Sequence, residues 1–131
     1  MKTSLARANA LLPIESNGDL TGFVGRFVTL TAGKAALVTS AAEKPFGLLL
    51  TDGKAGDVVT VAASAGGLAG TIRVKLAAAV TNPGIDLQLT GDGRVIPDSG
   101  AGARVLVAHA LEAGAIDELV EAVLLRPTAL S

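Results

Sequence analysis

With 131 residues, 50% of them hydrophobic and only three aromatic (Phe23, Phe27 and Phe46), the chain has the length for one domain built on an aliphatic core. Lys and Arg number 11 against 12 acids, for a formal charge of -1, which excludes the electrostatic footprint of a nucleic-acid or anionic-lipid binder. Cysteine is absent, so disulfides, thiolate metal sites and cysteine catalysis are excluded together.

Residues 1–20 differ in character from the rest: small and polar, with Pro13, Asn17 and Gly18 as breakers. Met1 to Ala10 superficially resembles a secretion signal, but Arg7 and Asn9 interrupt its would-be apolar core, so the expectation is a mature chain that starts at residue 1 or 2 and is made in a cytoplasm. No apolar run approaches the roughly 18 residues of a membrane span. Leu5, Ala8, Leu11 and Leu12 fit one side of a short helix, and Leu11, Leu12 and Ile14 fit docking in extended form equally well. The segment is expected to be either a frayed terminus in the isolated chain or an arm ordered by a neighbour, with removal of residues 1–15 leaving a folded domain.

From Gly25 onward the reading is nearly all strand. Arg26–Leu30 and Ala35–Thr39 flank a turn at Thr31-Ala32-Gly33-Lys34. Leu48–Thr51 and Val58–Ala62 flank Asp52-Gly53-Lys54-Ala55-Gly56-Asp57, whose glycines and carboxylates supply the backbone angles and amide acceptors that a hairpin needs. Ser64-Ala65-Gly66-Gly67 is a flexible connection. Gly70–Leu76 alternates cleanly, with Ile72, Val74 and Leu76 facing inward and Thr71, Arg73 and Lys75 outward. Asn82-Pro83-Gly84 is a turn, Asp86–Thr90 a strand, Gly91-Asp92-Gly93 a turn into Arg94–Pro97, and Asp98–Gly102 a loop with little to pack, expected to be mobile. Arg104–Leu111 is a further strand. Ile116, Leu119, Val120, Val123 and Leu124 fall at helical spacing, yet 119–125 also suits a closing strand that covers a sheet edge; the strand is preferred, and Pro127 should end either one. Gly33-Lys34-Ala35 is echoed at Gly53-Lys54-Ala55, too short a match to indicate a repeat.

Few residues suggest chemistry. His109 is the only histidine and lies inside a strand with no nucleophile motif nearby, which favours a surface or interface role. Asp52, Asp57, Asp92 and Asp98 adjoin Gly or Pro, where a short carboxylate caps its own backbone; no calcium loop occurs. Gly66, Gly67 and Gly70 lack the lysine and hydroxyl of a phosphate loop. Arg73, Lys75 and Arg94 would form a basic patch if their strands adjoin, as a solvated face or a contact with an acidic partner. Neither a catalytic residue nor a cofactor or metal is expected.

These features, in order, resemble the capsid cement or decoration proteins of tailed bacteriophages, a family long catalogued as a domain of unknown function. The resemblance runs through Gly25-Arg26-Phe27-Val28, Pro45-Phe46-Gly47-Leu48, Ala55 to Val61, Gly70 to Val74, Asn82-Pro83-Gly84, Gly91 to Val95, Val107 to Ala113 and the segment Leu119–Leu125. It implies an all-β domain, a small β-barrel or β-tulip-like body over 21–127 with an extended N-terminal arm over 1–20 and a tail over 128–131. It further implies a non-enzymatic virion protein on the outer capsid surface, often a homotrimer, that clamps neighbouring major capsid protein subunits. Leu5, Arg7, Leu11, Leu12 and Ile14 of the arm, with Arg73, Lys75 and Arg94, are the expected partner-binding residues. A different adaptor module of a tail, adhesin or carbohydrate binder is the alternative; the lack of Trp and Tyr platforms weighs against the last.

Overall fold

The computed structural model describes residues 11–65 and 70–131. Ten strands and no helix occur among the described residues: β1 (Leu11–Glu15), β2 (Phe27–Thr31), β3 (Lys34–Leu37), β4 (Gly47–Leu49), β5 (Val58–Ala63), β6 (Ile72–Lys75), β7 (Asp86–Leu89), β8 (Val95–Pro97), β9 (Arg104–Ala110) and β10 (Leu119–Leu130). The protein is all-β, with short strands joined by tight turns in two five-stranded antiparallel sheets. Apolar alternation sets which face each strand buries: in β6, Ile72 and Val74 are buried while Arg73 is exposed, as the spacing predicts.

The turn residues do what their chemistry requires. Ala32 and Gly33 both take positive φ, 51° and 77°, the pairing that matches the right-handed twist of the β2–β3 hairpin. Between β7 and β8 the loop is longer, closed by the Thr90 amide donating to the Arg94 carbonyl at 2.9 Å, and Gly93 takes φ 85°. Of the four carboxylates expected to do so, three cap their own turns: Asp57 accepts the Lys54 amide (2.9 Å), Asp92 the Arg94 amide (3.2 Å) and Asp98 the Gly100 amide (3.0 Å). Asp52 instead reaches across to the Gly22 amide at 2.7 Å, and so ties the 19–25 loop to the β4–β5 connection. The 98–102 loop carries more structure than its composition suggests, since Gln88 accepts the Ser99 amide at 2.7 Å and the Arg104 guanidinium bonds Asp98 and the Gly102 carbonyl.

The sheet orders are β1-β5-β4-β2-β3 and β6-β10-β9-β7-β8, the same order twice. Each sheet curls until its outer strands meet: a parallel bridge joins Ser16 to Ala35 in the first, and Leu76 to Val95 in the second. The registers match as well. Phe27↔Leu48 in the first sheet answers to Asp86↔His109 in the second, Leu49↔Val61 to Ala110↔Ala122, and Glu15↔Val58 to Lys75↔Leu119. Hydrogen bonds outside the ladders repeat too: Gly25 N to Leu49 O and Leu49 N to Arg26 O correspond to Gly84 N to Ala110 O and Ala110 N to Ile85 O. The chain is therefore an internal repeat of one five-stranded unit, which corrects the sequence reading that found none.

Two hydrophobic clusters follow from this duplication. Leu20, Val28, Ala35, Leu49, Val59 and Val61 fill the first curl, with Ile14, Phe23, Leu37 and Phe46 packed against them. The larger cluster fills the second curl and extends to Phe27, Val38, Leu48 and Ala62 on the outer face of the first sheet. The centre of the first sheet is thus buried on both faces, which is why Leu48-Leu49 and Ala62-Ala63 read as continuous apolar runs. Full burial of each such Leu or Val stabilises the fold by about 1.5–3 kcal/mol.

Further sequence expectations change at the strands. Residues 11–15 are not a detached arm: β1 pairs with β5 throughout, so a deletion through residue 15 would strip a strand from the first sheet. Pro13 is tolerated there because β1 is an edge strand. The closing segment is a strand, as preferred, but it does not stop at Pro127; β10 runs to Leu130 because the register shifts between Leu124 and Thr128, and the bulge takes the proline out of the ladder. The β4 strand is also shorter than expected, ending at Leu49.

Candidate interaction surface

The residues expected to bind a partner fall in different places. Leu5 and Arg7 lie outside the described residues. Leu11 is 37% exposed at the edge of the first sheet, Leu12 is half-buried, and Ile14 packs against the first core cluster. Arg73, Lys75 and Arg94 are brought near one another by the Leu76–Val95 bridge between β6 and β8. Two of the three cations are engaged within the chain: Arg73 with Glu112 at 3.5 Å, and Arg94 with Asp92 and Asp117, each at 2.8 Å. The patch is therefore a network of mixed sign and not a bare basic surface.

Asp92 is the hub of that network. Burial pushes its carboxyl up, but hydrogen bonds from the Arg94 guanidinium, the Thr90 hydroxyl and the Arg94 amide outweigh that and hold it at about 2. Its folded value lies below its unfolded one, so the stabilisation is present above about pH 4 and is lost as pH falls through about 2. The side chain is 40% exposed, so water screens the effect to about 1 kcal/mol. Urea unfolding at about pH 5 and about pH 2.5 should therefore show a fall in stability that is about 1 kcal/mol smaller in Asp92→Asn; an identical fall in both proteins would contradict this role.

His109 sits on β9 with Nδ1 2.8 Å from Asp86 Oδ1, on the outward face of the second curl. The two residues are cross-strand partners in the β7–β9 register. The two side chains are 38% and 43% exposed. Elsewhere an open groove of about 340 Å³ runs between Ser40–Ala42 and the ends of β9 and β10. Its one charged lining group, Arg104, is already bound to Asp98 and Gly102. Among the described residues no group of three or more His, Cys, Asp or Glu could hold a metal ion, and no helix is long and apolar enough to cross a membrane.

What the surface does offer is exposed aliphatic side chains on a rigid frame: Val58 at 69%, Ile116 at 58%, Leu111 at 44% and Leu30 at 41%. Sequence reasoning passed over these, because a lone Val or Leu at a strand end gives no signal of its own. Arg26 was missed as well. Its guanidinium stacks 4.7 Å from the Phe23 ring centre and reaches Asp92, so it joins the first curl to the second.

No family model matches the sequence, and no curated protein matches it. The fold is similar to a solved structure, the head fiber gp8.5 N base of bacteriophage phi29, with a TM-score of 0.63 at 17% identity, covering 88% of this chain and 93% of that one.

Proposed function

We propose that the chain is a non-enzymatic structural protein of a tailed-phage virion, which binds the outside of the assembled capsid as a homotrimer and cements neighbouring major capsid protein subunits. The observation that carries this reading is the fold's likeness, over nearly the whole chain, to the base of a phage head fiber. The order of turns and strands that resembles the decoration family points the same way, and so does a surface that offers aliphatic and mixed-charge contact residues.

The mechanism is one of linkage. A protein that binds the expanded shell and not the free subunit lowers the free energy of the assembled state, and does so at every copy it occupies. An ordinary contact of about 1,600 Å² would suffice. Because β1 is built into the first sheet, the part of the proposed arm that would engage a capsid subunit narrows to residues 1–10, with Leu5 and Arg7 as its apolar and charged anchors. Leu11 and Leu12 extend the same path on the sheet edge.

Purified protein mixed with mature heads that lack it should co-sediment with them and should not bind free coat subunits. Binding to tails or to polysaccharide, with none to heads, would replace this reading with the adaptor one. Removing residues 1–10 should leave thermal stability within a few degrees of the full chain and should reduce head occupancy at least about tenfold, as loss of a strand-adding anchor implies. Undiminished occupancy by the shortened protein would remove the arm from the mechanism.

A further inference from the structure

We infer that the chain associates head to tail with further copies of itself, through a contact that repeats between molecules the one that already joins its two halves. This contact supplies the self-association in the proposed function and does not depend on a shell.

Within the chain, the first half presents Gly25 to Phe27 and the second half presents Lys75, Gly93 and Leu119. The Phe27 amide donates to the Gly93 carbonyl at 2.8 Å, and the Lys75 amide to the Gly25 carbonyl at 2.9 Å. Both glycines are crowded by the opposite half. A Cβ on Gly25 would overlap the Leu119 side chain, and one on Gly93 would lie 2.7 Å from the Phe27 carbonyl oxygen and 3.2 Å from Arg26 Cβ.

Every participant has a counterpart in the other half. By register, Gly84 and Asp86 of the second half stand where Gly25 and Phe27 stand in the first; Glu15, Gly33 and Val58 stand where Lys75, Gly93 and Leu119 stand in the second. Backbone angles agree: φ is 87° at Gly25 and 85° at Gly84, 77° at Gly33 and 85° at Gly93. The counterpart patches, unlike the internal ones, are open. Among the described residues nothing lies within 4 Å of a Cβ built on Gly84 or on Gly33. Val58, the counterpart of the side chain that covers Gly25, is 69% exposed.

The two open patches are complementary. Val58 of one copy covers Gly84 of the next, as Leu119 covers Gly25. Lys34, next to Gly33 and 3.4 Å from Glu15 of its own chain, belongs to the patch that receives Asp86, so the contact adds an acid beside a cation that a single carboxylate already faces. The Asp86 amide then donates to the neighbour's Gly33 carbonyl, and the neighbour's Glu15 amide to the Gly84 carbonyl. Phe27 inside the chain is replaced by Asp86 between chains, which makes the intermolecular copy of the contact the wetter and more reversible one. The contact uses different patches on the two copies, so it propagates until a ring closes. Three copies closing such a ring would alternate first and second halves around one axis.

The test uses full-length protein in solution, without shells. Val58→Arg spoils the first-half patch, and Asp86→Arg, set against Lys34, spoils the second-half patch. Both positions are at least part-exposed, and an unchanged circular dichroism spectrum and melting transition check that each variant folds. Light scattering at micromolar concentration should show a closed oligomer for the unmodified chain and monomers for each variant, with self-affinity weakened roughly a hundredfold. An equal mixture of the two variants keeps one intact pair of patches and should give a one-to-one complex and nothing larger. An unmodified chain that stays monomeric, variants that still assemble, or a mixture that stays monomeric overturns the inference. Loss of assembly on removing residues 1–10 overturns it too, in favour of an exchanged arm. Head co-sedimentation is scored separately, so failure of the ring and failure of capsid binding give different results.

Discussion

Phe27→Ala is expected to destabilise the fold by about 3–5 kcal/mol, a large share of the about 5–15 kcal/mol that holds a domain of this size together. Phe27 is fully buried and belongs to the cluster that fills the second curl although it starts the first sheet's β2 strand. Its ring fills the space where the two halves meet, with Val38, Leu48 and Ala62 beside it. Truncation leaves a cavity that neither sheet can close, because the Phe27 amide is bonded to Gly93 and Leu49 N to the Arg26 carbonyl, so the backbone on both sides is fixed. Denaturant unfolding should show the drop as a lower midpoint with an unchanged slope. A loss below about 1 kcal/mol would mean that the ring is not what joins the halves.

Gly47→Ala should follow with a loss of about 2–4 kcal/mol, against the usual trend for glycine in a strand. Gly47 does not take a positive φ, so on conformational entropy alone alanine would stabilise by about 0.4–1 kcal/mol. Contact decides the sign. A Cβ at Gly47 would overlap the Ala62 carbonyl oxygen and lie 2.8 Å from Val61 Cγ1 and 2.9 Å from the Ala62 carbonyl carbon. Two of those atoms are backbone of the neighbouring β5 strand, which pairs with β4 on one side and β1 on the other and has nowhere to move. Gly18→Ala is the control: no atom of the described residues lies within 4 Å of its Cβ, and it should stabilise or do nothing. A Gly47→Ala protein that melts at or above the parent temperature would contradict the close approach.

Much of the fold was legible from the residues alone. The Ala32-Gly33 and Gly91-Asp92-Gly93 turns, the alternation of Ile72 and Val74 with Arg73, and the β4–β5 hairpin all follow local rules that tertiary packing did not override. The duplication was not legible, and the reason is physical. Equivalent backbone positions face different surroundings, so Phe27 answers to Asp86, Leu48 to His109 and Gly47 to Ala108, pairs that share no chemistry. The residues that mark the repeat are backbone hydrogen bonds and glycine angles, and these leave little trace in composition. Pro127 misled for a similar reason: a proline predicts a strand end only if the ladder needs its amide, and the bulge after Leu124 relieves that need. The proposed interaction surface was the least legible part. Val58 gains its meaning from its register with Leu119, which only the paired sheets reveal.

The central claim, a doubled β-domain that fastens to the outside of an assembled head, is tested most directly by a density map of the mature virion. The account predicts a body with two curled five-stranded sheets at symmetry-related positions on the outer shell, each copy touching more than one major capsid protein subunit. A map that shows this body only at the tail, only inside the head, or nowhere on the particle would contradict it.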